Sequence, residues 1–281
     1  MSETPNPGLA YWSGEGGDHW ARQNDFTETL LAPVMAPLIA AAAAKPGERV
    51  VDTGCGCGAL ALALAKAVGL QGRVLGVDIS PAMLAVARQL TPPGAHAEFI
   101  EADATTYAFP RGGFDLLASR HGVMFFADPV RAFANLRSAL KPGGRLVFSC
   151  FRTPKDNPWA MTPLEAAYQV MPRLPKPGPE DPGPFSFANP ARVERILGGA
   201  GFTAVKMTPH DLSFDIAASG GLETAVGYMI DIGPASRTFD KGNTAARAKI
   251  EAALRAGLKP HVKGKSVPLA AGIWIVTARN P

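Results

Sequence analysis

The chain has 281 residues, a net charge of +4, 47% hydrophobic and 19% charged residues, a globular composition with enough length for a parallel sheet between two helical layers. No dense Lys/Arg run offers a nucleic-acid footprint, three cysteines cannot build a disulfide framework, and the longest apolar run, Leu30 to Ala44, is interrupted by Pro33 and Pro37 and falls short of the roughly 20 residues of a membrane span. Met1-Ser2-Glu3-Thr4-Pro5 has neither the basic start nor the apolar stretch of a signal peptide, so the expectation is a cytoplasmic protein with no nucleic-acid or membrane partner; oligomeric state is not legible.

Residues 9 to 24 are polar and aromatic, with Tyr11, Trp12, His19 and Trp20. Two readings stand side by side: a lid that turns an aromatic face toward a ligand, or a hydrophobic staple that anchors the N-terminus. A helix follows, with Phe26, Leu30, Val34 and Leu38 at four-residue spacing as its sheet-facing stripe.

The segment Arg49-Val50-Val51-Asp52-Thr53-Gly54-Cys55-Gly56-Cys57-Gly58-Ala59-Leu60 then joins an apolar strand, a terminal carboxylate, three alternating glycines and an Ala/Leu-rich helix. Such a turn brings backbone close to a ligand, and the helix aims its N–H groups and positive dipole end at it. Gly54, Gly56 and Ala59 fit the G-x-G-x-x-G/A pattern of dinucleotide sites. Asp52 argues the other way, because a carboxylate beside a diphosphate is a like-charge contact of about a few kcal/mol. It suits a positively charged, phosphate-free nucleoside. Cys55-Gly56-Cys57 lacks the second Cys/His cluster of a four-ligand metal site, so no metal is expected, and the cysteines read as small packing residues.

Arg73 to Asp78 reads as a second strand ending in an acid about twenty residues past the loop, where a ribose-binding carboxylate belongs. Ser80-Pro81 caps a helix running to about Leu90. A third acid, Asp103, ends Phe99-Ile100-Glu101-Ala102-Asp103-Ala104; its carboxylate suits an adenine amino group, and the Ala104 N–H a ring nitrogen.

The fourth strand, Phe114 to Ser119, leads into Ser119-Arg120-His121-Gly122. His121 is the candidate catalytic base, since imidazole titrates near neutral pH; a polar packing residue is the alternative. Arg120 steadies a cofactor or an acidic substrate, or is a plain surface cation, and Phe125-Phe126 reads as pocket wall or core. Asp128-Pro129 caps a helix with Val130, Phe133, Leu136 and Leu140 as its buried stripe, ended by Lys141-Pro142-Gly143-Gly144; the fifth strand is Arg145 to Phe151. Beyond it, Thr162-Pro163-Leu164-Glu165 reads as a capping box opening a short helix, and Pro172 to Pro184 as a loop or lid edge. Asn189-Pro190 starts another helix, Gly201 to Val205 begins a sixth strand, residues 220–258 hold two helical pieces, and Gly272 to Ala278 is the last strand. His19, His210 and His261 have no partner pattern.

Val51-Asp52-Thr53-Gly54-Cys55-Gly56-Cys57-Gly58, Gly76-Val77-Asp78-Ile79-Ser80, Glu101-Ala102-Asp103-Ala104 and Leu140-Lys141-Pro142-Gly143-Gly144-Arg145-Leu146 give the chain its family look. It resembles the class I S-adenosylmethionine-dependent methyltransferases, above all the ubiquinone/menaquinone-biosynthesis-like enzymes of small molecules, strongly over residues 45 to 151 and loosely over 189 to 210. The resemblance implies a doubly wound α/β fold: a Rossmann-like, seven-stranded, mostly parallel sheet in the order 3-2-1-4-5-7-6, its last strand antiparallel, with helical lid insertions. It also implies S-adenosyl-L-methionine as cofactor. Asp52 and the loop Gly54, Cys55, Gly56 and Gly58 would hold the methionine moiety, Asp78 the ribose, Asp103 and Ala104 the adenine, with Ile79 and Met83 on the adenine faces; Arg120 and Trp20 are further cofactor-side candidates. Cys57 departs from the hydroxyl residue common in the family, which touches one minor contact.

The implied organisation is an N-terminal lid and helix (1–44), a cofactor-binding core (45–151), a Pro-rich insertion (152–188) and the rest of the sheet (189–281) with a helical substrate-side insertion (212–268). The reaction implied is methyl transfer to a small-molecule acceptor in a lidded cleft. A nicotinamide oxidoreductase, or a protein of this fold that binds the cofactor without methylating, are the alternatives.

Overall fold

The computed structural model describes residues 7–176, 178, 180–231 and 243–281. Its centre is one seven-stranded sheet in the order β3-β2-β1-β4-β5-β7-β6. The strands are β1 (Arg49–Thr53), β2 (Arg73–Asp78), β3 (Ala97–Glu101), β4 (Phe114–Arg120), β5 (Leu140–Phe151), β6 (Thr203–Asp215) and β7 (Pro268–Arg279). The first five run parallel, and β7 lies antiparallel between β5 and β6. Val50, Val51, Leu116, Leu117, Val147 and Phe148 are all buried. Neighbouring residues on these strands point to opposite faces, so both faces of the sheet are covered.

Ten helices surround the sheet among the described residues: α1 (Pro7–Ser13), α2 (Glu15–Arg22), α3 (Asn24–Ala42), α4 (Ala59–Val68), α5 (Pro81–Leu90), α6 (Pro129–Ala139), α7 (Pro158–Ala167), α8 (Pro190–Gly199), α9 (Leu222–Asp231) and α10 (Thr244–Leu258). Three start where local capping chemistry places them. The Ser80 side chain accepts from the Met83 N–H, Asp128 from Arg131 and Asn189 from Ala191, each followed by proline in the first turn. By length and composition α3 could cross a bilayer. Its Leu30, Leu31, Val34, Leu38 and Ala42 are instead buried in the common core.

Several elements depart from the sequence-based expectations. The aromatic N-terminal stretch folds into α1 and α2, although Gly16 and Gly17 lie inside α2 and lower its helix propensity. What holds α2 is packing: a Cβ on Gly17 would lie 2.2 Å from Ser80 Oγ and from the Trp12 carbonyl, so the helix sits directly on the start of α5. Thr162–Glu165 opens no helix but lies inside α7, which begins at Pro158; a capping box is present nine residues earlier, between Thr153 and Asp156, around a short 3-10 turn. Val130 is exposed beside α8 and does not join the buried stripe of Phe133 and Leu136. β3 closes at Glu101, leaving Asp103 in the turn beyond it. β6 continues to Asp215 and β7 starts at Pro268, so both ends of the 212–268 stretch belong to the sheet. Met1–Pro5, Pro177 and Pro179 of the proline-rich loop, and 232–242 between the two C-terminal helical pieces lie outside the described residues.

Asn157 ties the 152–188 segment to the sheet. Fully buried, it donates to the Arg152, Thr153 and Gly272 carbonyls and accepts from the Gly272 and Trp159 N–H groups.

Candidate active site

β1 and β4 are neighbours, and from them the chain proceeds outward in opposite directions, to β2–β3 and to β5. Such a switch opens a crevice beyond the carboxyl ends of the strands. Here it is a cavity of about 830 Å³, in the upper part of the roughly 300–1,000 Å³ range of small-molecule sites.

The glycine loop is laced to β2. Gly54 and Cys55 donate to the Val77 carbonyl at 2.8 and 3.2 Å, and Gly56 donates to Asp78 Oδ2 at 2.8 Å. Asp78 Oδ1 accepts from the Ser80 N–H at 2.9 Å. Asp78 therefore joins the loop to the start of α5, and each oxygen keeps a lone pair for a ligand hydroxyl. Burial raises its pKa, outweighing the backbone donors Gly56, Ser80 and Ile79 that stabilise its charge.

At the seam of β1 and β4, Gly54 (φ +65°) faces Gly122. A Cβ on either would come within 2.8 Å of the other's Cα, closer than any side chain tolerates. Ser119 Oγ reinforces the seam, donating to the Thr53 carbonyl at 2.7 Å and accepting from the Gly122 N–H at 3.2 Å. Gly58 has a different task from the one expected. It does not line the cavity; a Cβ there would meet Phe99 and Ala87 behind the loop, so it lets α4 close on β3 and α5.

Asp52 lines the cavity with only 1% of its surface exposed, and no side chain among the described residues donates a hydrogen bond to its carboxylate. Burial pushes its pKa up to about 7; the Arg120 guanidinium and the Ala61 backbone N–H at the start of α4 pull it down, and the Asp78 and Glu28 carboxylates push it further up. A buried carboxylate without a side-chain donor is costly unless a ligand completes it, and a cation with N–H donors does so.

Arg120 is neither a surface cation nor unengaged. Its guanidinium forms a bidentate pair with Glu28 of α3, with Nη1 at 2.8 Å from Oε2 and Nη2 against Oε1. Asn24, Thr27, Glu28 and Leu31 all line the cavity from α3, a helical spacing of 3 and 4 that marks a second stripe beside the apolar one. That spacing was the signal for Glu28, and it lay hidden beneath the stronger apolar period.

His121 also lines the cavity, with φ +62° and both ring nitrogens buried without a partner among the described residues. Its ring stacks on Phe151, 4.2 Å between centroids at 8°. Burial, helped by the Arg120 charge, lowers its pKa to about 3. Against the expectation of an imidazole titrating near neutral pH, this burial favours the neutral ring. Ile79, Met83, Asp103, Ala104 and Trp20 line the same cavity. Asp103 Oδ1 is engaged by the Thr105 N–H at 2.8 Å, which fixes the turn, while Asn135 holds the Ala104 and Tyr107 carbonyls. Cys55 and Cys57 line it as well; burial drives both thiols upward, Cys57 to about 12, and keeps them unreactive.

The remaining walls are aromatic. Trp12 meets Trp20 and Phe125 edge to face at 5.6 and 5.0 Å, whereas Tyr11 is exposed. Phe151, Trp159, Pro184 and Tyr228 add β5, α7, the proline-rich loop and α9; Trp159 and Tyr228 had no sequence signal, because only tertiary packing carries them to the cleft. Tyr228 stacks on Phe26 at 3.9 Å, and burial raises its hydroxyl to about 12 against an opposing bond from Thr27.

Comparison with known proteins puts this geometry in context. A methyltransferase domain family matches residues 50–144. Aklanonic acid methyltransferase DauC of Streptomyces sp. (strain C5) is 39% identical over 122 residues, 43% of this chain and 56% of that protein, so the match spans little more than half of that relative. Demethylmenaquinone methyltransferase of Thermus thermophilus is 33% identical over 157 residues, 52% of this chain and 69% of that protein. Among solved structures, phosphoethanolamine N-methyltransferase 2 of Haemonchus contortus, in complex with S-adenosyl-L-methionine, aligns over 100% of this chain and 61% of its own with a TM-score of 0.56 at 18% identity, a likeness of fold.

Proposed function

Because the chain belongs to the class I S-adenosylmethionine-dependent methyltransferases, in the group of the quinone-biosynthesis enzymes, we propose that it transfers a methyl group to a small, largely apolar or aromatic acceptor. The observation that carries this reading is the Asp52 carboxylate, buried beside the glycine loop without a side-chain donor. S-adenosylmethionine, when bound, supplies a methyl group activated on a sulfonium, and its ammonium gives Asp52 the donors that no side chain supplies. On this reading Asp78 takes the ribose diol, Asp103 and Ala104 the adenine, Ile79 and Met83 its faces and Trp20 the cover, all of them residues that line the cavity. Two of the relatives are named for small-molecule acceptors, and the aromatic walls of this cavity favour the same class.

The chain's own contribution is alignment and exclusion of water, which in oriented pairs can reach effective molarities of about 10⁵ M or more. His121 faces the acceptor as a neutral hydrogen-bond partner on an aromatic wall. Held near 3, it takes a proton only weakly, so the favoured acceptors are those whose nucleophile needs little help from a base. The deciding experiment pairs calorimetry of S-adenosylmethionine, S-adenosylhomocysteine and NADH with labelled-methyl transfer to a metabolite extract. Binding of the first two and one labelled small molecule is expected; binding of NADH alone would overturn the assignment.

A further inference from the structure

The charges and rings around the cavity restrict what the acceptor atom can be. Five carboxylates, Glu28, Asp52, Asp78, Asp103 and Asp128, line it against two guanidiniums, Arg120 and Arg131. Arg120 is already engaged, its Nη1 lying 2.8 Å from Glu28 Oε2 in a bidentate pair. Arg131 stands one turn before Asn135, whose amide holds the Ala104 and Tyr107 carbonyls, so it belongs to the end where Asp103 and Ala104 lie. Among the described residues no free cation is left beside the aromatic walls, and the cavity as a whole favours a positive ligand over an anion.

Those walls are continuous. His121 stacks on Phe151 at 4.2 Å between centroids, and Phe151 meets Trp159 at 5.3 Å. Trp159 is fixed in place: its Nε1 donates to Oδ1 of the buried Asn157 at 3.1 Å, and Asn157 is tied to the Gly272 backbone of β7. Aromatic faces of this kind stabilise a cation through their quadrupole. The same side offers no ready proton acceptor among the described residues. Burial holds His121 near 3 and raises the Tyr228 hydroxyl and the Cys57 thiol to about 12. Glu28 is clasped by Arg120, and Asp52, Asp78 and Asp103 go to the cofactor on the reading above.

We propose that the acceptor reacts through a neutral nitrogen that carries no proton, a pyridine-type nitrogen in a flat ring, and that the product is an N-methyl onium ion held against Phe151 and Trp159. The proposal rests on the methyl-transfer reading and names the acceptor class for that site. The nitrogen lone pair forms the new bond to the methyl carbon as the carbon–sulfur bond breaks, and the electron pair of that bond stays on sulfur. The positive charge passes from sulfur to nitrogen. The charge enclosed by the acidic cavity is thus the same before and after, and no proton has to leave. A phenol or an alcohol would need a base to take its proton. A carboxylate would bring an anion beside Glu28 with no free guanidinium to meet it.

Three bicyclic probes of matched shape test this: isoquinoline with the lone pair, 2-naphthol with a hydroxyl, and 2-naphthoate with an anion. The full chain with labelled S-adenosylmethionine is expected to methylate isoquinoline about tenfold or more faster than either of the others. Calorimetry on the S-adenosylhomocysteine complex should show N-methylisoquinolinium binding about tenfold tighter than isoquinoline, as a desolvated cation–π contact gives. Trp159→Leu should lose most of that preference while keeping its affinity for S-adenosylhomocysteine, and Trp159→Phe should retain most of it. Faster methylation of 2-naphthol or 2-naphthoate, equal binding of the onium ion and isoquinoline, or a preference undiminished in Trp159→Leu would each overturn the proposal. If no probe is methylated, the binding comparison decides alone. Wild-type protein that binds no S-adenosylhomocysteine would instead bring down the cofactor reading, a distinct outcome.

Discussion

Asp52 is a buried carboxyl without a side-chain donor, and this has consequences of opposite sign for stability and for binding. Its carboxyl moves from 3.8 to about 7 on folding, chiefly through burial. A raised folded pKa means that its stabilising contribution is complete below about pH 4 and is lost as pH rises through 7. Asp52→Asn should therefore raise the melting temperature of the ligand-free protein at pH 8, by a free energy on the order of a few kcal/mol, with the gain shrinking toward pH 4. Binding runs the other way, since the ammonium needs the ionised form. Affinity for S-adenosylhomocysteine should strengthen between about pH 5.5 and 7.5 and then level, and Asp52→Asn should lose both the affinity and the slope. A lower melting temperature for the variant at pH 8 would show that the Arg120 charge and the Ala61 N–H outweigh the cost of burying Asp52. His121 makes a second residue-scale prediction. Held near 3 by burial and by Arg120, it stays neutral across the working range. His121→Phe should lower kcat/KM for the identified acceptor by about tenfold, the worth of one hydrogen bond, without changing the shape of the pH profile or the affinity for S-adenosylhomocysteine. A limb near pH 6.5 that vanishes in the variant would restore the general base.

Between elements, the contact that places the site is the Gly54–Gly122 seam, backbone against backbone at the tips of β1 and β4. Gly122→Ala must push the strand tips apart and should cost about 2 kcal/mol or more in denaturant unfolding, together with cofactor affinity. Gly198→Ala on α8, where an added methyl meets nothing within 4 Å, should be neutral or slightly stabilising and serves as the control. This contrast also explains what could be read from the chain alone. Asp52, Asp78 and the caps at Ser80, Asp128 and Asn189 were legible because their signals are local: an acid at a strand end, a capping side chain before a proline. Gly122 was not, since its need for a missing Cβ is imposed by a loop 68 positions earlier. Nor were α1 and α2, whose interior glycines argue against a helix until Ser80 is seen beneath Gly17. The tetrapeptide Ser-Arg-His-Gly singles out His121 but not the burial that lowers its pKa, which only the fold supplies.

Across the whole molecule, the cavity is covered by two unrelated stretches of chain. Trp12, Trp20 and Glu28 come from the N-terminal helices and lie with the glycine loop, Asp78 and Met83. Trp159, Pro184 and Tyr228 come from segments after β5; Trp159 lies against Phe151, which stacks on His121, while Tyr228 stacks on Phe26 of α3. If the first group encloses the cofactor and the second the acceptor, the two ligands should protect different amides from hydrogen exchange, because local opening reports the stability of each cover separately. S-adenosylhomocysteine alone should slow exchange in α2, the start of α3, the Gly54–Gly56 loop, 78–83 and 103–106. An acceptor added afterwards should slow α7, 184–188 and α9 while leaving the first set unchanged. Were S-adenosylhomocysteine alone to protect α7 and α9 as strongly as α2, the cavity would be one chamber under a single roof. The 152–188 and 212–268 stretches would then have to be reassigned to the cofactor side, and the aromatic walls would lose their standing as the place where the acceptor is chosen.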